Sequence, residues 1–285
     1  IRLSLVGSEM CIRDSPNLVR VLQAQTARQV GLIDHAVVAR GEAAIRERIA
    51  ALREQGVSIA IVDAVSNDDL LRLGPALRDM ALVTAGSGVA IALPANFGIA
   101  PSSQAAVLPP ASGLKAIVSG SCSVATNQQV MHFIQSGRPA LAIDPLRIAA
   151  GVDVCAEALA WAGDKIAGGP VLIYSTADTS AVKSIQSKLG VEAAGTLVEQ
   201  TIAGIARGLV ELGVRQLVVA GGETSGACVQ ALEIAQMRIG GQIDPGVPWC
   251  HALSPAAPDG LHITLKSGNF GTADFFTKAF AACAA

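Results

Sequence analysis

Short apolar runs alternate with amphipathic segments along most of this chain. VSIAIVDAV (57–65) is mostly apolar and predicts a buried strand, while Ser66 and the acidic residues that follow it predict a capped helix over 66–80. The same alternation predicts strands in ALVTAG (81–86), KAIVSGSCS (115–123), PALAID (139–144), PVLIYST (170–176), RQLVVAGG (215–222), IGGQIDPGVPWC (239–250) and LHITLKSGNFG (261–271). Helices are predicted between most of them, including an alanine-rich one over 149–167, two between 177 and 213, and a closing helix in TADFFTKAF (272–280).

Repeated strand-helix units of this kind predict an α/β protein. We expect two domains, each a mostly parallel doubly wound sheet, with ligands beyond the carboxyl ends of the strands. The segment IAPSSQAAVLPPASGL (99–114) has no sustained period and is rich in proline and serine, which places a domain boundary near residue 110. The opening segment 1–15, IRLSLVGSEMCIRDS, shows neither period and resembles a translated sequencing adapter, so we expect it to be non-native. The predicted domains are therefore 16–110, the C-terminal part of the first domain, and 111–285.

Composition narrows the classes of partner. A formal charge of −2 without clusters of Lys or Arg, and only 3% aromatic residues, argue against a nucleic-acid partner. The positive mean hydropathy comes from short runs, and no apolar run approaches the roughly 18 residues of a membrane span. The six cysteines show no CxxC or zinc-like spacing, which indicates reduced thiols in a cytoplasmic protein. The composition is compatible with a homo-oligomer.

Turns rich in glycine and hydroxyl groups end several predicted strands: TAGSG (84–88), SGSCS (119–123), GGETSG (221–226) and KSGNFG (266–271). Glycine allows close backbone approach to a ligand, and a following helix offers free N–H groups to an anion. Such turns suit phosphate, although α/β folds also need glycine at strand-to-helix turns. Three of them fall in the second predicted domain, which favours the phosphate interpretation.

Several polar residues of these turns allow two interpretations. Glu223 could face a metal ion or a ribose hydroxyl, or simply cap the next helix. Lys266 could pair with phosphate oxygens as a mobile point charge, or be an ordinary solvated lysine. Asn269 and Asp274 are equally ambiguous, and Asp274 could serve only to cap the last helix.

Known sequence motifs argue against several classes of enzyme. The chain has no GxxxxGK[ST] loop, no GxGxxG at a first strand-helix unit and no GxSxG elbow, which weakens P-loop, classical dinucleotide and hydrolase hypotheses. The histidines show no i, i+4 pair, so no zinc site is predicted and they are interpreted as structural or surface residues: His35, His132, His251 and His262. Three aspartates end predicted strands, and spacing singles out none of them as base or metal ligand: Asp63, Asp144 and Asp178.

Taken together, SGSCSVATNQQV, GGETSG, IGGQIDPGVPW and LHITLKSGNFGTADFF resemble the four-carbon acid sugar kinase family, and the resemblance covers the chain from Pro16 onward. LKSGNFG followed by DFF is most similar to the 3-oxo-tetronate kinase branch. The resemblance implies a C-terminal ATP-binding domain and an N-terminal domain that binds the acid sugar. It also implies Mg²⁺-dependent transfer of a phosphoryl group from ATP to the 4-hydroxyl of the acid sugar. The candidate nucleotide-binding residues are Ser121, Ser123, Gly221, Gly222, Glu223, Thr224, Ser225, Lys266, Gly268 and Asn269, and those for the sugar are Gly86, Ser87 and Gly88.

The family opens on a DDxTG-type acidic motif, and this chain contains none. We therefore expect an incomplete first domain, with the catalytic acid or base outside this sequence, and a chain that binds nucleotide but turns over little substrate. D-threonate or D-erythronate kinase activity, a non-enzymatic nucleotide-binding module and an NAD-linked dehydrogenase remain as alternatives.

Overall fold

The computed structural model describes residues 15–175 and 191–283. The chain forms two compact units that divide between Pro101 and Ser102. Three sequence-based predictions lie outside the described residues: the non-native segment up to residue 14, the first of the two helices predicted between 177 and 213, and Asp178. Within the described residues, no helix is long and apolar enough to span a bilayer.

The segment between residues 102 and 110 belongs to the second unit in this division. Leu108 packs against the apolar core of that unit, and the carbonyl of Pro109 is 3.0 Å from Nε2 of His262. The boundary predicted near residue 110 therefore lies several residues beyond the division, because proline-rich chain can still pack on a sheet.

The first unit is small and mostly helical. Its strands β1 (Val30–Ile33) and β2 (Ile59–Val62) pair in parallel, with Val30 opposite Ile59. Its helices are α1 (Leu18–Gln23), α2 (His35–Ala39), α3 (Glu42–Glu54) and α4 (Asn67–Ala76), followed by 3-10 turns at Ser87–Ile91 and Pro94–Phe97. A core of aliphatic side chains joins these elements: Ile33, Val37, Val38, Ile45, Leu52, Leu73 and Ala76.

The predicted capping of α4 is present, and the strand predicted after it is not. Ser66 and Asp69 form a reciprocal capping box at the start of α4. Within the described residues, 81–86 form no strand, and Leu82 is 79% exposed. A strand needs a paired neighbour, and the chain here instead turns so that Ala92 packs on Gly74 of α4.

The second unit contains the large sheet. Its strands are β3 (Leu114–Ser119), β4 (Ala140–Ala142), β5 (Val171–Tyr174), β6 (Val214–Ala220), β7 (Met237–Asp244), β8 (Val247–Ser254) and β9 (Ala257–Lys266). Its helices are α5 (Val124–Gln135), α6 (Pro145–Ala149), α7 (Val154–Gly163), α8 (Val191–Glu211), α9 (Gly222–Ala231) and α10 (Phe275–Cys283), with a 3-10 turn at Ile166–Gly168. The strand order is β4-β5-β3-β6-β9-β8-β7.

The first five strands of that order are parallel, and β8 and β7 close one edge as antiparallel strands. Successive residues of β3 enter different apolar cores: Ala116 and Val118 pack with α7, α8 and α9, while Ile117 packs with α5 and α10. Helices therefore cover both faces, as parallel sheets require. The predicted α/β class is confirmed, and this unit has the predicted mostly parallel doubly wound sheet, whereas the described part of the first unit has the two-stranded sheet of β1 and β2.

Two predictions for this unit were wrong in detail. The alanine-rich helix over 149–167 is interrupted, because Gly151 adopts a positive φ of 81° and Asp153 caps a new helix. The C-terminal region holds three strands where two were predicted, since a turn at Pro245 and Gly246 divides IGGQIDPGVPWC between β7 and β8, and β8 then continues to Ser254. The prolines and glycine of HALSPAAPDG (251–260) resemble a loop, but only Pro255 and Ala256 lie in the turn between Ser254 and Ala257, and Gly260 lies within β9.

Candidate functional site

Three of the predicted turns meet at one edge of the large sheet. SGSCS follows β3, GGETSG follows β6 and KSGNFG follows β9, and these strands are adjacent in the order β3-β6-β9. Backbone hydrogen bonds continue past the strand ends, from Gly120 N to Ala220 O at 3.0 Å and from Gly221 N to Lys266 O at 2.8 Å. The carboxyl ends of three neighbouring parallel strands therefore present these turns side by side.

Glycine is required where the turns touch. A Cβ atom on Gly268 would lie 2.6 Å from Ser121 Oγ, and one on Gly221 would lie 2.7 Å from Thr224 Oγ1 and 3.3 Å from Ser121 N. Gly221 also has a φ of 129°, which L-residues rarely adopt. Backbone from two turns thus closes on Ser121 of the third.

Helix α9 begins directly after Gly221, so most of GGETSG is helical. Among the described residues no side chain caps this helix, and its first N–H groups have no partner within the helix. Thr224 is 3% exposed, and Ser225 Oγ donates to Gly221 O at 2.6 Å, so these hydroxyls serve packing. Gly222 and Glu223 are exposed, and backbone N–H groups at the first positions of a helix suit an anion.

The carbonyl oxygen of Gly268 is held by three donors. Ser123 Oγ lies 2.6 Å from it, Thr126 Oγ1 2.8 Å and Lys266 Nζ 2.9 Å. Two of these donors belong to the start of α5, about 140 residues earlier in the chain. The KSGNFG turn is thus fixed to the SGSCS turn through one peptide group.

Lys266 is neither mobile nor solvated, so both interpretations drawn from the sequence are corrected. Its side chain is fully buried, and Nζ donates to Thr126 Oγ1, Ser267 O and Gly268 O. Burial lowers the pKa of this ammonium to about 8. The buried Lys266 side chain therefore holds the carbonyl groups of its own turn.

Gln129 also fixes the KSGNFG turn to α5, and it was not identified from the sequence. Its Nε2 donates to the carbonyls of Phe270, Gly271 and Thr272 at 3.0 to 3.1 Å, and it is fully buried. Ser123, Thr126 and Gln129 share one face of α5 at a spacing of three. Polar residues on the buried face of a predicted helix were the available signal.

The acidic residues near the turns have separate roles. Glu223 lies exposed in the first turn of α9 and does not cap it. Burial, together with the charge of Glu223 and a hydrogen bond to it, raises the pKa of Glu199 on α8. Two carboxyl groups thus meet beside the GGETSG turn.

A second set of charges holds the end of the KSGNFG turn. Asp244 of β7 accepts from Thr272 N at 2.9 Å and from Lys278 Nζ at 2.5 Å. Asp274 precedes α10, and its carbonyl accepts from the N–H groups of Thr277 and Lys278, which agrees with the predicted capping position. Asn269 is exposed, as a ligand-facing residue would be.

The other candidates lie elsewhere. Gly86, Ser87 and Gly88 belong to the first unit, where Gly86 precedes a 3-10 turn, and their assignment to sugar stays a prediction. Asp144 caps α6, and Asp63 follows β2. The described residues contain no group of three or more His, Cys, Asp or Glu side chains arranged to hold a metal ion.

A shallow groove borders the SGSCS turn on the outer side of α5. Val124 and Met131 expose 75% and 52% of their surface there. The lining residues are Cys122, Val124, Asn127, Gln128, Met131, His132, Gln135 and Ala273.

Comparison with known families decides what these turns belong to. The nucleotide-binding C-terminal domain family matches residues 116–276, which is more than half of the chain and includes all three turns. The chain belongs to this family. The sugar-binding N-terminal domain family matches residues 11–93. The resemblance to four-carbon acid sugar kinases is thereby confirmed.

Curated relatives carry the name 3-oxo-tetronate kinase. The relative from Pseudomonas fluorescens Pf-5 is 51% identical over 266 residues, and that from Burkholderia multivorans is 52% identical over 270. These alignments cover 92% and 93% of this chain, but only 61% and 62% of the relatives. The chain therefore spans about three fifths of their length.

Solved structures share the fold. A Haemophilus influenzae protein superposes with a TM-score of 0.65 at 35% identity, covering 93% of this chain and 63% of its own. A Salmonella typhimurium LT2 protein, provisionally described as a tRNA synthase, superposes with a TM-score of 0.74 at 36% identity. The match covers 96% of this chain and 66% of that protein.

Proposed function

We propose that the second unit binds ATP for a kinase that phosphorylates the 4-hydroxyl of a four-carbon acid sugar, 3-oxo-tetronate. The carrying observation is the meeting of three glycine and hydroxyl turns at the ends of β3, β6 and β9. The names of the curated relatives support the substrate. D-threonate and D-erythronate are the alternative acceptors, and a non-enzymatic nucleotide-binding module is the alternative role.

The donor set fits nucleotide phosphates. The uncapped start of α9 supplies backbone N–H groups, and Gly268 and Gly221 remove the Cβ atoms that would fill the space around Ser121. Phosphoryl transfer depends mainly on positioning and on neutralising charge, which such a rigid arrangement of donors provides.

Mg²⁺ is the proposed metal. It is commonly bound through one or two carboxylates together with substrate phosphates. Glu223 and Glu199 supply that chemistry beside the turn. Burial and then the charge of Glu223 raise the pKa of Glu199, and an ion between the two carboxylates would relieve the second of these effects. Mg²⁺ bound there would neutralise charge on the transferred phosphoryl group.

We place the adenine in the groove beside α5. It begins at Cys122 in the SGSCS turn and exposes the apolar side chains of Val124 and Met131. The flat ring face of a purine suits this surface, since binding would cover side chains that now face water. We also place the protein in the cytoplasm, in keeping with its free cysteines Cys122, Cys155, Cys228, Cys250 and Cys283.

The nucleotide part of the proposal is tested on this chain by thermal unfolding with ADP and Mg²⁺. At 100 times its Kd, ADP should add about 2.7 kcal/mol to the free energy of unfolding. NAD at the same concentration is the control. Equal effects of both ligands, or no effect of ADP, would contradict nucleotide binding of this type.

The acceptor is tested with a chimera. Residues 102–285 replace the matching part of the Pseudomonas fluorescens relative, and transfer of ³²P from ATP to 3-oxo-tetronate, D-threonate and D-erythronate is compared. Preferred labelling of 3-oxo-tetronate is expected. A folded chimera that binds ADP but labels none of the three would refute the kinase role of this unit.

A further inference from the structure

Lys266 carries a buried positive charge for which the described residues offer no opposite charge. Its side chain has no exposed surface, and all three partners of Nζ are neutral: Thr126 Oγ1 at 2.9 Å, Ser267 O at 3.1 Å and Gly268 O at 2.9 Å. No ion pair to it forms within residues 15–175 and 191–283. Asp244, the nearby buried carboxylate on β7, pairs with Lys278 of α10.

A charge in this position is costly. Neutral acceptors satisfy the N–H groups, but removal of the ammonium from water still disfavours the charged form. Burial is accordingly the cause of the lowered pKa of about 8, and no charged group contributes to it. A nearby anion would reverse part of that effect.

The peptide group after Gly268 connects this ammonium to the site. Lys266 Nζ binds the carbonyl oxygen of Gly268, and in a trans peptide the following N–H, that of Asn269, points the opposite way. The ammonium therefore lies at the oxygen end of a peptide dipole whose N–H end is directed away from the buried interior. Hydrogen bonds in such a chain polarise one another.

We propose that Lys266 is a positioning residue for the nucleotide phosphates: it orients the N–H of Asn269 toward a phosphate oxygen, whose negative charge in turn stabilises the ammonium. Nucleotide binding then transfers a proton from the buffer to the neutral fraction of Lys266. This inference rests on the proposed nucleotide site, and it adds a residue that need not touch the ligand.

The coupling predicts proton uptake, measured by calorimetric titration of ADP at pH 8 in Tris and in HEPES. If the bound phosphate raises the pKa by about one unit, uptake is about 0.4 proton per ADP at pH 8. ADP itself is fully ionised at pH 8.

Variants separate charge from geometry. Lys266→Met should abolish the uptake and weaken ADP binding about tenfold, since hydrogen bonds to charged groups contribute strongly. Thr126→Val removes one donor to Gly268 O and should weaken binding less, while uptake remains. The exposed Lys165→Met is the matched control and should match wild type in both measurements.

The outcomes are distinct. ADP binding without uptake at pH 8, combined with unchanged affinity in Lys266→Met, would overturn the inference and leave the nucleotide site standing. Absence of ADP binding in wild type would remove the proposed function and the inference with it. If circular dichroism shows that Lys266→Met is unfolded, two other measurements decide. The inference is refuted if wild-type protein takes up no proton on binding ADP at pH 8 and if Thr126→Val binds ADP with unchanged affinity.

Discussion

A Cβ atom on Gly268 would lie 2.6 Å from Ser121 Oγ, closer than unbonded atoms approach. The same Cβ atom would lie 3.0 Å from the Cβ atom of Ser123, so Gly268→Ala must shift these two side chains or the KSGNFG turn itself. Overpacking of this kind costs about 1–3 kcal/mol, and we expect ADP affinity to fall about tenfold or more. Calorimetric titration provides the measurement.

Gly226→Ala is the control for that substitution. Gly226 lies inside α9, and a Cβ there would meet nothing within 4 Å. Alanine should raise the free energy of unfolding by up to about 1 kcal/mol through helix propensity, with ADP affinity retained. Equal losses of affinity in both variants would show that the contact at Ser121 is unimportant.

Gln129→Leu removes the buried amide that binds three carbonyls of the turn after β9. Buried groups left without a partner cost about 1–3 kcal/mol, so urea unfolding should occur at lower concentration. The exposed neighbour Gln128→Leu should change stability little. A Gln129→Leu protein as stable as wild type would contradict this prediction.

Asp69 links the stability of the first unit to pH. Hydrogen bonds from Val65 N and from Ser66 lower its pKa to about 2. Because the folded pKa lies below the unfolded value, its contribution is complete above pH 4 and is lost as the pH falls toward 2. The free energy of unfolding, followed by far-UV circular dichroism, should change less between pH 4 and pH 2 in Asp69→Asn than in the wild type. An unchanged acid profile would argue against this assignment.

Val124→Gln tests the proposed adenine position. A neutral polar side chain in the groove should weaken ADP binding severalfold and leave pyrophosphate binding unchanged, because pyrophosphate lacks the base. Val107→Gln, also at an exposed valine, serves as the control. Equal weakening of both ligands would place Val124 at the phosphates, and no weakening would place the base elsewhere.

The sequence predicts this site well where local pattern determines structure. Strand, glycine turn and helix occur together in RQLVVAGGETSG, and periodicity alone locates β6 and α9. It does not reveal that Lys266 is buried, because that depends on Thr126, 140 residues away. ALVTAG has the composition of a strand, yet Leu82 is exposed, since pairing depends on a neighbour that local sequence does not specify.

The last strand of the chain does not lie at an edge of the sheet. β9 inserts between β6 and β8, and it carries the turn that closes on Ser121. During synthesis, SGSCS and GGETSG leave the ribosome well before their third partner exists. The three turns can therefore come together only after residue 268 has emerged and the middle of the sheet has closed.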